Sequence, residues 1–157
     1  MTLGIVIVDY GAGNLRSVAK AFEHIGFPAS VSDNPAELVR ARGVILPGVG
    51  SSGAAMAALH ERRLVEPLQE VLARGTPFFG VCLGLQILLE TSEEHERPCL
   101  AAVAGKVKHL PAGAKVPHMG WNRVSLTREH PVFQGIPPEP YFYFVHSYYA
   151  EPEEPSL

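Results

Sequence analysis

Residues 76–90 read TPFFGVCLGLQILLE, and no other stretch restricts the fold as sharply. The apolar run Phe78, Phe79 and Val81, bounded by Gly75 and Pro77, reads as a buried strand. Leu83, Leu85, Ile87, Leu88 and Leu89 recur at helical spacing and predict a helix over residues 83–90. Between them lies Gly80-Val81-Cys82-Leu83-Gly84, a G-x-C-x-G counterpart of the G-x-S-x-G nucleophile elbow. A side chain at the tip of a tight strand-to-helix turn strains its own backbone. It also leaves no space for a Cβ two residues before or after it, which accounts for both glycines. Cys82 would then stand at the first turn of a helix, where unpaired N–H groups and the positive end of the dipole favour a thiolate. The Leu83 amide would be placed to stabilise an oxyanion. The alternative for the same residue is a buried structural thiol at a strand end.

The residues before the elbow alternate between two periods. Residues 4–8 (GIVIV) form a continuous apolar run, as expected of a central parallel strand buried on both faces. A glycine loop, DYGAGN, follows, with Asn14 as N-cap of a helix over residues 15–25 and Gly26 at the position past its end. The third glycine of a dinucleotide-binding G-x-G-x-x-G would fall on Arg16, which argues against nucleotide binding and for a plain strand-to-helix turn or part of a partner surface. Residues 29–31 give a second strand. Asn34 and Pro35 open a short helix, and residues 43–46 give a third strand. That strand runs into PGVGSSG, residues 47–53, at the strand end where α/β sheets place ligands. Its amides suit a phosphate or an oxyanion; a flexible turn is the alternative. Residues 54–73 predict a helix interrupted near Pro67 and closed by Gly75. Such alternation predicts a doubly wound, mostly parallel α/β sheet.

Past residue 90 the pattern changes. Residues 92–98 (SEEHERP) read as a solvated charged loop. Residues 103–110 and 122–126 read as strands around a turn-rich segment, Pro137-Pro138 as a linker turn, and residues 141–149 (YFYFVHSYY) as one long aromatic strand. The acidic, proline-rich residues 151–157 read as a tail. A chain of 157 residues with 46% hydrophobic and 18% charged content suits one domain that buries a core without staples. A net charge of −3 without a Lys/Arg cluster excludes a nucleic-acid footprint. Two cysteines give no disulfide framework, and neither a leader nor a spanning segment is recognisable, so a cytoplasmic protein with no membrane contact is expected.

The segments IVDYGAGNLRSV, LPGVG, GVCLGLQ, PHMGWN and YFVHSYY, in this order, resemble the class I (triad) glutamine amidotransferases. Within them, PGVG, PHMGWN and FVHSYY are most similar to the glutaminase subunits of imidazole glycerol phosphate synthase, from histidine biosynthesis. The resemblance runs from Ile5 to about Tyr149. It implies a flavodoxin-like fold in a single domain over residues 1–157, with the C-terminal segment of the family domain missing. It also implies glutamine as substrate, no cofactor or metal, and a heterodimer with a (β/α)8-barrel cyclase subunit that consumes the ammonia.

Carried onto this chain, the resemblance makes Cys82 the nucleophile. Leu83 and the Val49-Gly50 backbone would form the oxyanion site, on a strand thought in the family to turn over on activation. Gly48, Gln86, Tyr143, Ser147 and Tyr148 would bind glutamine, and Asn14, Met119, Trp121 and Asn122 would face the partner. The family's base His and its orienting Glu lie in a G-x-Q-F-H-P-E segment that these residues do not contain. Neither His146, in its strand, nor His118, His24, His60, His95, His109 or His130 is assigned that role. A chain without turnover is therefore one expectation. The alternatives are a non-catalytic interaction module of the same fold or the glutaminase subunit of another biosynthetic synthase.

Overall fold

The computed structural model describes residues 3–94 and 97–154. Four parallel strands make the central sheet: β1 (Leu3–Val8), β2 (Ala29–Ser32), β3 (Ala41–Gly48) and β4 (Phe78–Cys82), in the order β2-β1-β3-β4. Helix α1 (Leu15–His24) crosses from β1 to β2. The chain then reverses direction through α2 (Pro35–Val39) to β3, and through α3 (Ser52–Glu61) and α4 (Val65–Ala73) to β4. Right-handed crossovers therefore set α1 on one face and α2, α3 and α4 on the other, the doubly wound arrangement read from the sequence. On the α2–α4 face Val6, Val8, Val44, Leu46, Leu59, Leu64, Leu68 and Val71 are buried together. Each such side chain stabilises the fold by roughly 1.5–3 kcal/mol.

The local signals act as expected. Asn14 Oδ1 accepts from Ser17 N at 3.2 Å, and Asn34 Oδ1 accepts from Ala36 N at 3.0 Å with Pro35 at the first helical position. Gly26 and Gly75 follow the C-caps of α1 and α4 with φ of 80° and 70°. The break between α3 and α4 lies at Arg62–Leu64 rather than at Pro67. Pro67 sits in the first turn of α4, where its missing N–H costs nothing.

Five expectations past Cys82 are corrected. The helix after the elbow, α5 (Leu83–Gln86), is one turn long. The carbonyls of Ile87, Leu88 and Leu89 accept instead from the amides of Leu100, Val103 and Ala101 at 2.8, 3.0 and 3.0 Å, so a tertiary partner ends the helix. Residues 92–98 are not simply a loop: β5 (Thr91–Ser92) pairs with β6 (Arg97–Pro98), while His95 lies outside the described residues. The strand read at 122–126 is β8 (His118–Arg123), displaced upstream. The long aromatic strand breaks at Ser147. Its first part, β9 (Tyr141–His146), pairs with β8, and its second, β10 (Tyr148–Pro152), pairs with β7 (Gly105–His109). The strand read at 103–110 thus keeps its place as β7. Glu151 and Pro152, read as tail, belong to β10, and Pro155, Ser156 and Leu157 lie outside the described residues. The result is a second sheet, β10-β7-β5-β6, and a two-stranded β8–β9 ribbon, both reached from the carboxyl end of β4.

Candidate active site

Parallel pairing of β3 and β4 matches Leu46 with Gly80 and Gly48 with Cys82, so the PGVG loop leaves its strand beside the thiol. Cys82 has φ +54° and ψ −114°, a left-handed conformation that is costly for a residue with a Cβ. The surrounding backbone enforces it. A Cβ on Gly84 would lie 1.8 Å from the Leu46 carbonyl oxygen, and one on Gly80 would lie 2.6 Å from the Leu85 amide. A Cβ on Gly48 would lie 2.6 Å from the Gly84 nitrogen, which makes it a third glycine of the same close approach. Cys82 is exposed, unlike the buried Cys99, whose thiol is pushed up by burial and then by the negative charge of Glu94.

Cys82 opens into a cavity of about 410 Å³ lined by Val49, Gly50, Leu83, Gln86, Glu94, Pro117, Val145, His146, Ser147 and Tyr148. Cys82, Leu83, Gln86, Val49, Gly50, Ser147 and Tyr148, all singled out in the sequence, therefore share one space. Gln86 Nε2 donates to the Tyr148 carbonyl at 3.0 Å, tying α5 to the start of β10. His146 Nδ1 contacts the same carbonyl at 2.9 Å, which favours the tautomer protonated on Nδ1. Gly48 supports the cavity from β3 without lining it. Tyr143 is turned to the outer face of the ribbon, edge-on to Trp121 with ring centroids 5.6 Å apart; there it borders an adjoining apolar cleft that also reaches Cys82 and Gln86.

The residues assigned to a partner separate. Met119 and Trp121 project from the ribbon's outer face, 60% and 69% exposed, opposite Val145 and Tyr143. Asn122 lies on the other face, its amide against His118 Nε2. Asn14 belongs to a different element, and its side chain is engaged as the cap of α1.

Glu94, Pro117, Val145 and His146 are cavity residues that the assignment of site residues missed. Glu94 Oε2 accepts from Ser52 N and Ser52 Oγ at 2.6 and 2.9 Å, binding the loop before β6 to the start of α3. No spacing rule marks it out within SEEHERP; only its meeting with Ser52, forty-two residues away, brings it to the thiol. Tyr10 is a further residue passed over. It is completely buried beneath the site, and its phenol pKa is raised by burial and then by the charge of Cys82, with the Val49 backbone amide pulling the other way.

Comparison with known proteins shows the family. The family model for class-I glutamine amidotransferases matches residues 6–157. The imidazole glycerol phosphate synthase subunit HisH of Desulfitobacterium hafniense is 51% identical over 98% of this chain and 73% of its own length. Those of Moorella thermoacetica and Thermosynechococcus vestitus are 54% and 50% identical, over 96% and 98% of this chain and 72% and 75% of their own lengths. A glutamine amidotransferase crystal structure superposes with a TM-score of 0.72 at 19% identity, over 91% of this chain and 71% of that one. A glutamine amidotransferase structure from Thermotoga maritima gives 0.64 at 16% identity, over 98% and 64%. By its family match and by these relatives, the chain belongs to the class-I glutamine amidotransferases, in the branch of the imidazole glycerol phosphate synthase HisH subunits.

Proposed function

We propose that the cavity beside Cys82 binds glutamine and that the Cys82 thiolate attacks its side-chain amide. A carbon–sulfur bond forms, and the amide oxygen takes up negative charge beside the Leu83 amide and the Val49-Gly50 backbone. As the carbon–nitrogen bond breaks, the nitrogen leaves as ammonia, taking from solvent water the proton that the Cys82 thiol gave up on ionising, and a second water then hydrolyses the γ-glutamyl thioester to glutamate and the free thiol. Gln86, Ser147 and Tyr148 form the wall against which the amino-acid end lies. The observation that carries this reading is the strained backbone of Cys82, which presents an exposed thiol to a cavity beside a glycine loop. Strain of this kind persists only where the surroundings over-determine it.

The outer face of the ribbon, with Met119 and Trp121, is the docking surface for a (β/α)8-barrel cyclase subunit that uses the ammonia. Enclosure has a chemical reason: ammonia released into water is protonated and loses its nucleophilicity. A cytoplasmic biosynthetic heterodimer is the setting this implies. Ammonia release from glutamine by the chain with the barrel subunit tests the reading. Cys82→Ala is expected to reduce release to the uncatalysed background. Undiminished release by that variant overturns the assignment.

A further inference from the structure

We propose that His146 is a catalytic residue: the general base that draws a proton from the water hydrolysing the γ-glutamyl thioester on Cys82. The inference deepens the glutaminase reading above and rests on it. Water that attacks a thioester must lose a proton, and a positioned side chain that takes it contributes roughly a hundred- to ten-thousand-fold. Among the described side chains lining the cavity, two besides Cys82 can accept a proton at neutral pH, His146 and Glu94. Glu94 Oε2 is already held by Ser52 N and Ser52 Oγ at 2.6 and 2.9 Å, and a carboxylate is by class a weaker base than an imidazole. That leaves His146.

The hydrogen bond of His146 makes it an acceptor toward the cavity. Its Nδ1 lies 2.9 Å from the Tyr148 carbonyl oxygen, which can only accept, so Nδ1 carries the proton and Nε2 keeps its lone pair. A base oriented through its other nitrogen by a third group is the arrangement that activated-nucleophile sites share. The carbonyl is itself held, because Gln86 Nε2 donates to it at 3.0 Å from the helical turn that follows Cys82. The imidazole is thus tied to the element that carries the thiol, and not to the ribbon alone.

Packing fixes the ring as well. His118, paired with it across β8–β9, stands edge-on with ring centroids 5.5 Å apart, and Phe144 lies 5.6 Å away on the same side of the ribbon. The Asn122 amide meets His118 at Nε2 and holds that ring in turn. With Nδ1 and the flanks of the imidazole occupied, the edge left for the cavity carries Nε2. In the step, the water oxygen bonds to the γ-carbonyl carbon as one of its protons passes to Nε2, and negative charge gathers on the carbonyl oxygen beside the Leu83 amide. The carbon–sulfur bond then breaks, the thiolate takes the proton from Nε2, and the new carboxyl group gives its remaining proton to solvent.

The test uses the full chain with the barrel subunit and the γ-p-nitrophenyl ester of glutamate, whose phenolate leaves without added acid. Acylation of Cys82 then appears as a burst of p-nitrophenolate, and the steady rate that follows reports hydrolysis of the thioester. His146→Asn keeps an amide N–H where Nδ1 donates and removes Nε2. It is expected to keep the burst, to lower the steady rate by about a hundred-fold or more, and to accumulate a γ-glutamyl adduct on Cys82 in the intact mass. Added imidazole should restore much of that rate to the variant and leave wild type little changed, a response that a purely structural role does not produce. If His146→Asn does not melt cooperatively, His146→Gln carries the same test. A steady rate near wild type in the folded variant, loss of its burst along with turnover, or a wild-type adduct that stays on the thiol overturns the proposal. Wild type that hydrolyses the ester but releases no ammonia from glutamine counts against the glutaminase reading instead, and wild type without a burst overturns both.

Discussion

On the elbow side of the Cys82 cavity, backbone meets backbone: Gly84 approaches the Leu46 carbonyl so closely that a Cβ would lie 1.8 Å from its oxygen. On the ribbon side, Val145, His146, Ser147 and Tyr148 come from a segment whose outer face exposes Met119, Trp121, Tyr141, Tyr143 and Val145. That wall is joined to α5 by the Gln86 bond to the Tyr148 carbonyl. The nucleophile is thus placed by backbone packed too closely to admit a Cβ at Gly80 or Gly84, and the opposite wall by side-chain bonds on a lightly buried ribbon. The site pairs a fixed chemical group with an adjustable binding surface, and the exposed Met119 and Trp121 lie on the adjustable half.

Substitutions graded by stability can break this contrast. Gly84→Ala is expected to cost about 3 kcal/mol or more, because the new methyl group strikes a central-strand carbonyl that cannot withdraw. A chemical denaturation curve near that of wild type would show that the elbow is less rigid than its contacts indicate. Gln86→Leu keeps the volume but removes the bond between α5 and the Tyr148 carbonyl, which still meets His146. A loss of about 1 kcal/mol is expected, with a raised KM for glutamine. A cost as large as that of Gly84→Ala would erase the distinction between the two walls. Trp121→Ala should leave stability within about 0.5 kcal/mol of wild type, as for an exposed side chain, while weakening association with the barrel subunit. A cooperative melt displaced by many degrees would place Trp121 in the folded core instead.

The parts of the molecule legible in the sequence are those governed by local rules. Asn14, Asn34, Pro35, Gly26 and Gly75 mark helix ends correctly because capping acts over a few residues. The elbow was legible because its steric demand falls on Gly80 and Gly84, close in sequence to Cys82. What escaped depends on distant partners. The helix after Cys82 ends early because residues 100–103 capture its carbonyls. The aromatic run divides at Ser147 because its halves pair with different strands, although the run itself continues through Tyr148 and Tyr149. Glu94 joins the cavity through Ser52, a meeting that leaves no periodic trace.

The pairing of β8 with β9 carries one more consequence, for the changes of length that this chain can tolerate. Tyr141, Tyr143 and Val145 oppose Arg123, Trp121 and Met119 on one side of the ribbon, while Phe142, Phe144 and His146 alternate to the other. Inserting or deleting one residue between Tyr141 and His146 would exchange those sides for the part of β9 beyond the change, so that its residues would no longer meet their present partners on β8. Two residues would restore the phase. The reading frame of this short strand is therefore constrained in steps of two as well as three: a six-nucleotide change preserves the ribbon's sidedness, and a three-nucleotide change inverts it.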